Sequence, residues 1–316
     1  MDEIKQKLND FGRKREPIFF VIDFEAKEHY IKPLKSLDDD IFFSLKKEIK
    51  PHFNKKLPYR FTPIDYPTYK KAFDKIQEEI KKGNSYLINL TFSSKLEIDY
   101  TLKEIYDYTD AKFKLYFKDK FVCFTPERFV EIKKNKIYTY PMKGTIEASI
   151  PDAKEKILNN KKEMAEHVMV VDLLRNDLSQ ISKKVEVLKF RYIEKIKAGE
   201  RELLQVSSKI KGELKENWQD SLGDILTSLL PAGSITGTPK KSTTKIIKEV
   251  ENYNRGFFSG VFGVFDADEL ESAVMIRFIE KNGDGLVYKS GGGITIDSDP
   301  ILEYQEMCEK IYVPFF

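Results

Sequence analysis

The sequence predicts an α+β protein of two large, mostly antiparallel β-sheets packed together with helices outside. Three observations predict it. Strand-like runs follow one another directly through the middle of the chain, without the strand-helix alternation of a doubly wound sheet. Helical periodicity is confined to a few separate windows. The 316 residues, 41% hydrophobic and 33% charged, suffice for a large core and have the composition of a globular protein.

The first strong strand signal is Ser85 to Glu97, rich in β-branched and aromatic residues, followed by Phe121 to Phe124. Arg128 to Tyr140 reads as a hairpin turning at Lys134-Asn135, and Val185 to Ile196 with Leu203 to Leu214 as a second antiparallel pair. A last group runs Phe257 to Asp266, Ser272 to Glu280 and Gly285 to Ser290, with Asn282-Gly283-Asp284-Gly285 as a turn. A helix is predicted from about Lys154 to Leu178, where Met164, Val168, Val171, Leu174 and Leu178 recur at three- and four-residue intervals. Others are predicted over Asp220 to Leu230 and Lys240 to Asn252. Asp299 as N-cap and Pro300 at the first position announce a final helix with Ile301, Tyr304, Cys308 and Ile311 as its buried stripe. With no low-complexity linker and no internal repeat, residues 1–316 are expected to form one domain.

Charge narrows the function classes. Fifty-four basic residues nearly balance 51 acidic ones, for a net charge of +3. Lysines alternate with acids, as in Lys154-Glu155-Lys156, and describe solvated helix faces, not the segregated basic stripe that nucleic acid requires. Ile18 to Ile22 is far too short to cross a bilayer, and no apolar stretch follows a basic start at Met1-Asp2-Glu3-Ile4-Lys5. The two cysteines, Cys123 and Cys308, suggest no disulfide framework, so a cytoplasmic location is expected, with no nucleic-acid or membrane partner.

Two helices carry paired acids. Glu163 and Glu166 lie three residues apart and project from one face; Glu303 and Glu306 repeat the spacing. Were the four carboxylates to face one another, their repulsion would call for protonation or a cation, and Mg²⁺ suits such an oxygen-only set. Glu163-Met164-Ala165-Glu166-His167 also approaches an inverted zinc-protease helix, but Glu163 stands where histidine is needed and the chain holds only three histidines. Gly291-Gly292-Gly293 would let backbone amides approach a ligand, or would end a strand in a turn or bulge. Arg277 closes the apolar run from Ser272 to Ile276, where a planar carboxylate or a structural salt bridge would satisfy it. Gly233-Ser234-Ile235-Thr236-Gly237-Thr238-Pro239-Lys240 has the wrong spacing for a phosphate loop.

Taken in chain order, these pieces resemble the chorismate-utilising enzyme family. The similar segments are GNSYLINLT, TPERFV, PMKGT, KEMAEHVMVVDLLRNDLS, LLPAGSITGTPK, RGFFSGVFGVFD, AVMIRFIE and GGGITIDSDPILEYQEM. The resemblance implies a chorismate-binding core over residues 83–312, with residues 1–80 a divergent N-terminal part. Anthranilate synthases resemble Pro-Ile-Ala-Gly-Thr where this chain has Pro141-Met142-Lys143-Gly144-Thr145, whereas aminodeoxychorismate synthases resemble Pro-Ile-Lys-Gly-Thr. Isochorismate-forming relatives carry a water-activating lysine where this chain has Leu87-Ile88-Asn89-Leu90.

The resemblance therefore implies an aminodeoxychorismate synthase component I, with an anthranilate or isochorismate synthase, or an inactive chorismate-binding paralogue, as alternatives. Lys143 would be the nucleophile and Glu127 the acid that protonates the departing hydroxyl. Glu166 and Glu306 would hold Mg²⁺, with Glu163 and Glu303 completing the shell. Arg277, Gly292 and Gly293 would hold the enolpyruvyl carboxylate, with Gly144, Thr145, Ser234, Gln205, Phe258 and Gly291 completing the substrate site. Gln205 stands where anthranilate synthases have histidine, Phe258 where a tyrosine is usual, and Leu87 where glutamine is frequent. Ammonia would come from a separate glutamine amidotransferase subunit, because no amidotransferase cysteine motif is present. The apolar end, Tyr312-Val313-Pro314-Phe315-Phe316, is compatible with continuation into a lyase domain.

Overall fold

The structure, a computed structural model, describes residues 1–46, 58–198 and 201–314. All strand pairing among them is antiparallel and forms two sheets, as expected of the predicted α+β class. The chain alternates between two compact units. Met1–Ser36, Glu127–Ser234 and Gly260–Val274 form the first; Leu37–Pro126, Ile235–Ser259 and Met275–Phe316 form the second.

In the first unit, the sheet runs in the order Met142–Glu147, Arg201–Glu213, Lys136–Thr139, Arg128–Lys133, Leu270–Val274, Val261–Phe265, Ile18–Ile22 and His29–Pro33. Lys183–Ala198 pairs with Arg201–Glu213 in addition. The apolar run Ile18–Ile22 has neighbours on both sides, which is why it is buried throughout. Phe19, Phe20, Phe262 and Phe265 are fully buried around it, each contributing about 2 to 3 kcal/mol relative to exposure. Helix Asp2–Arg13 buries Ile4 and Leu8, and Asn9 ties it to helix Leu222–Leu229 by donating to Asp224 at 2.7 Å and accepting from Gly223 N at 2.7 Å.

The second unit holds Gly237–Thr238, Leu87–Ile98, Gly285–Ile294, Phe278–Asn282, Phe121–Thr125, Phe113–Phe117 and Ile41–Ser44 in sheet order, with Tyr59–Thr62 also on Leu87–Ile98. Helices Tyr66–Lys81, Leu102–Tyr108, Lys240–Val250 and Pro300–Glu309 belong to it. Phe121 stacks on Phe278 at 4.7 Å in its interior. A buried ion pair joins Arg255 to Glu251 at 2.6 Å, and further bonds from Arg255 to the Ile235 and Asn89 carbonyls satisfy the guanidinium.

Several elements follow the sequence reading. The hairpin turns at Lys134 and Asn135, whose φ angles are 48° and 58°, as its twist demands. Asp299 caps the last helix, accepting from Ile301 N and Leu302 N.

Others depart from it. The predicted helix over Lys154 to Leu178 is two helices, Ala153–Asn159 and Lys161–Ser179, because extended Asn160 caps the second by accepting from Glu163 N at 3.1 Å. Of its predicted stripe, Val171 and Leu178 are buried and Leu174 half-buried as expected, but Met164 and Val168 are 37% and 46% exposed, while Glu166, His167 and Asp177 are buried. On the last helix Ile301 is exposed and Glu303 buried, again against the hydrophobic pattern. Ser272 to Glu280 is not one strand: Leu270–Val274 and Phe278–Asn282 lie in different sheets, and Arg277 between them has a φ of 52°. Gly285–Ile294 runs on past Ser290, so the three glycines lie inside a strand instead of ending one.

Candidate active site

Lys143 lies on strand Met142–Glu147, whose register against Arg201–Glu213 shifts between Met142 and Thr145. Gly144 sits in that irregularity at a φ of +87°, a conformation that glycine adopts without strain. A Cβ there would stand 3.2 Å from Glu163 Oε2, so the turn of the backbone also leaves room for an acid. The same kink aims Lys143 at helix Lys161–Ser179. Its Nζ donates to Glu166 Oε2 at 2.6 Å, with the lysine side chain 23% and the glutamate 7% exposed. Lys162 Nζ lies 3.9 Å from the other oxygen, Oε1. Thr145 is exposed and pairs in register with half-buried Gln205.

His167, the next residue on the helix, is fully buried, and its Nε2 bonds Ser208 Oγ at 2.7 Å. Burial, reinforced by the positive charges of Arg191 and Lys143, holds its pKa down to about 4, so the ring is neutral at pH 7. Glu127 precedes strand Arg128–Lys133, and its carboxylate accepts a hydrogen bond from Ser234 Oγ. Both border a cavity of about 20 Å³, with Tyr140, Pro141 and Asp177 also in its wall; that is room for about one water. Asp177 was not singled out in the sequence. Its signal was an acid on a long helix, one residue before Leu178 of the apolar stripe and directly after Arg175 and Asn176, which are exposed.

In the second unit, Gly291, Gly292 and Gly293 pair with Thr91, Leu90 and Asn89. A Cβ at Gly291 would stand 2.2 Å from the Leu90 carbonyl oxygen, which makes a side chain untenable there. Beyond Lys289 the glycine strand has a partner on one side only among the described strands, so alternate amides face away from the ladder. Glu303 and Glu306 approach this strand from helix Pro300–Glu309: a Cβ on Gly292 would lie 3.7 Å from Glu303 Oε2 and 3.8 Å from Glu306 Oε1. Ser298 Oγ donates to Glu303 at 2.8 Å, and Lys310 pairs with Glu306 at 2.6 Å.

Arg277 donates from Nη1 to the Lys310 carbonyl at 2.9 Å and stacks over Tyr312, while its buried Nε has no hydrogen-bond partner among the described residues. Neither a salt bridge nor a protein carboxylate accounts for that N–H, which leaves a donor for an anion. Lys310 escaped the sequence reading, although its place four residues after Glu306 signals an ion pair on one helix face. Phe258 is buried against Phe278.

The structure thus brings Lys143, Gly144, Glu163 and Glu166 together in one unit, and Gly292, Glu303 and Glu306 in the other. Among the described residues, no three His, Cys, Asp or Glu side chains converge so as to hold a metal ion. The donor types nevertheless fit a hard cation, since each acidic helix presents carboxylate oxygens and no sulfur or imidazole to it.

Residues 6–315 match the chorismate binding enzyme family. The chain belongs to that family. An uncharacterised PabA-like protein of Pasteurella multocida (strain Pm70) is 47% identical over 315 residues, 98% of this chain and 97% of that protein. Aminodeoxychorismate synthase component 1 of Bacillus subtilis (strain 168) is 31% identical over 265 residues, 79% of this chain but 55% of that protein. The menaquinone-specific isochorismate synthase of Escherichia coli superposes with a TM-score of 0.73 over 98% of this chain and 80% of that one; at 16% identity this likeness concerns the fold alone. The chain is therefore a member of a family of chorismate-utilising enzymes, with that family's fold. No helix among the described residues is long and apolar enough to cross a membrane.

Proposed function

We propose that this chain is an aminodeoxychorismate synthase component I, converting chorismate and ammonia to 4-amino-4-deoxychorismate for 4-aminobenzoate and folate synthesis. The observation that carries the reading is Lys143, a half-buried amine placed by a glycine kink against a buried carboxylate. In its neutral amine form, Nζ would bond to ring carbon 2 as the carbon 4 hydroxyl departs through the shifting ring double bonds, taking a proton from Glu127 and leaving as water. Ammonia would then bond to carbon 4, the lysine–carbon 2 bond would break with its electron pair returning to nitrogen, and the Glu127 carboxylate would take the surplus proton from the new amine. Ser234, bonded to Glu127, orients that carboxyl.

Glu166 and Glu306, with Glu163 and Glu303 completing the shell, would hold Mg²⁺, which would supply positive charge for the ring carboxylate of chorismate. Arg277 and the outward amides among Gly291, Gly292 and Gly293 would take the enolpyruvyl carboxylate, with Thr145, Gln205 and Phe258 bordering the substrate. A separate amidotransferase subunit would deliver ammonia. Burial raises the pKa of both thiols in the chain, Cys123 and Cys308, so neither has the activated thiolate that glutamine hydrolysis requires. The free thiols also suit the cytoplasm.

The test is product identity. Incubated with chorismate, Mg²⁺ and ammonium, then with aminodeoxychorismate lyase, the protein is expected to yield 4-aminobenzoate. Anthranilate or isochorismate as the main product would overturn the reading.

A further inference from the structure

Lys143 sits where its own strand gives it least support. The register shift between Met142 and Thr145 interrupts the regular ladder around it, and Gly144 at a φ of +87° turns the backbone away. Something else must hold the peptide on which the amine depends.

A buried network does so from behind. Ser208 N donates to the Pro141 carbonyl at 2.9 Å, two residues before Lys143. Ser208 Oγ accepts from Arg191 N at 2.9 Å, and we assign its hydrogen to His167 Nε2 at 2.7 Å. That puts the ring hydrogen on Nδ1, which has no hydrogen-bond partner among the described residues although the Lys143 backbone lies against the ring. His167 and Ser208 are fully buried. Consecutive helix residues therefore meet Lys143 in two ways, Glu166 at its amine and His167 at its backbone.

We propose that His167 is a positioning residue which, through Ser208 and the Pro141–Lys143 backbone, sets where the Lys143 amine stands. It touches no reacting atom. The mechanical part of the inference needs no turnover; its consequence for rate rests on the reading of Lys143 as nucleophile.

The experiment uses the full chain carrying His167→Ala, Ser208→Ala or His167→Gln, the last placing an amide near the Nε2 position that meets Ser208. Brief acetylation followed by peptide mass spectrometry reads labelling of Lys143 against exposed Lys189. In His167→Ala and Ser208→Ala that ratio is expected to change about threefold or more, with kcat reduced about tenfold and KM within about twofold; His167→Gln should recover most of both. An unchanged ratio in folded His167→Ala or Ser208→Ala, or loss shared equally by KM, kcat and thermal stability, would overturn the proposal. Should His167→Ala not fold, Ser208→Ala decides it. If Lys143→Ala proves fully active, the nucleophile reading fails while the labelling ratio still tests the positioning.

Discussion

Replacing Lys143 separates its charge from its chemistry. Removing one partner of a buried ion pair costs about 3 to 5 kcal/mol, because the other charge stays buried without compensation. Here the lysine is 23% exposed and Lys162 remains 3.9 Å from Glu166, so screening and that second ammonium reduce the expected loss to about 2 to 3 kcal/mol. Urea unfolding should show this deficit in Lys143→Ala, and more than half of it should vanish in Lys143→Ala/Glu166→Gln, where no charge is stranded. Lys143→Arg keeps the pair but not a nucleophilic amine, so stability should stay within about 1 kcal/mol of the parent. Both single variants should lose aminodeoxychorismate formation by about a thousandfold or more in the lyase-coupled assay. Activity within tenfold of the parent in either variant would refute covalent catalysis by Lys143; a deficit below about 0.5 kcal/mol in Lys143→Ala would refute the burial argument.

His167 links the site to acid stability: with a folded pKa of about 4 against about 6.5 unfolded, the unfolded chain binds the proton first, so stability present above pH 6.5 is lost as pH falls toward 4. Urea unfolding at pH 7.5 and pH 5 should differ by about 2 kcal/mol more in the parent than in His167→Gln. Gly144→Ala, forced into a φ of +87° beside Glu163, should cost about 1 to 2 kcal/mol by thermal unfolding and reduce kcat. Arg277→Lys removes the unpaired Nε donor; KM for chorismate is expected to rise about tenfold with kcat within threefold, a loss suited to one hydrogen bond to a charged group.

What the sequence disclosed depended on the range of the physics. Turn chemistry is local, so the Lys134-Asn135 hairpin and the Asp299-Pro300 cap were legible from a few residues each. The two-sheet class was legible because strand runs outnumber helical windows. The transfer from Leu270–Val274 to Phe278–Asn282 was not, since one apolar run serves two sheets and only tertiary pairing divides it. The N-terminal elements, from helix Asp2–Arg13 through strand Ile41–Ser44, were missed because their apolar residues are short runs bounded by charge. Among site residues, Lys143 and the acidic pairs were legible by type and spacing. Ser208 and Asp177 were not, because their significance lies in partners that are distant in sequence.

The error over helix Lys161–Ser179 is informative in itself. Hydrophobic pattern alone would rotate Met164 and Val168 inward, and leaving such side chains exposed forfeits about 1 kcal/mol or more each. The observed arrangement instead buries Glu166, His167 and Asp177 beside Val170, Val171, Leu173 and Leu178. It persists because Glu166 has Lys143 and His167 has Ser208, partners without which buried polar groups would cost still more. Local preference yields here to a polar constellation, and such conflicts concentrate where a fold is shaped by chemistry and not by stability alone. If that account is right, the same helix should be a place where stability can be gained at the expense of activity: replacing Lys143, Glu166, His167 and Ser208 together with apolar residues of matching volume would remove the conflict and the reaction with it.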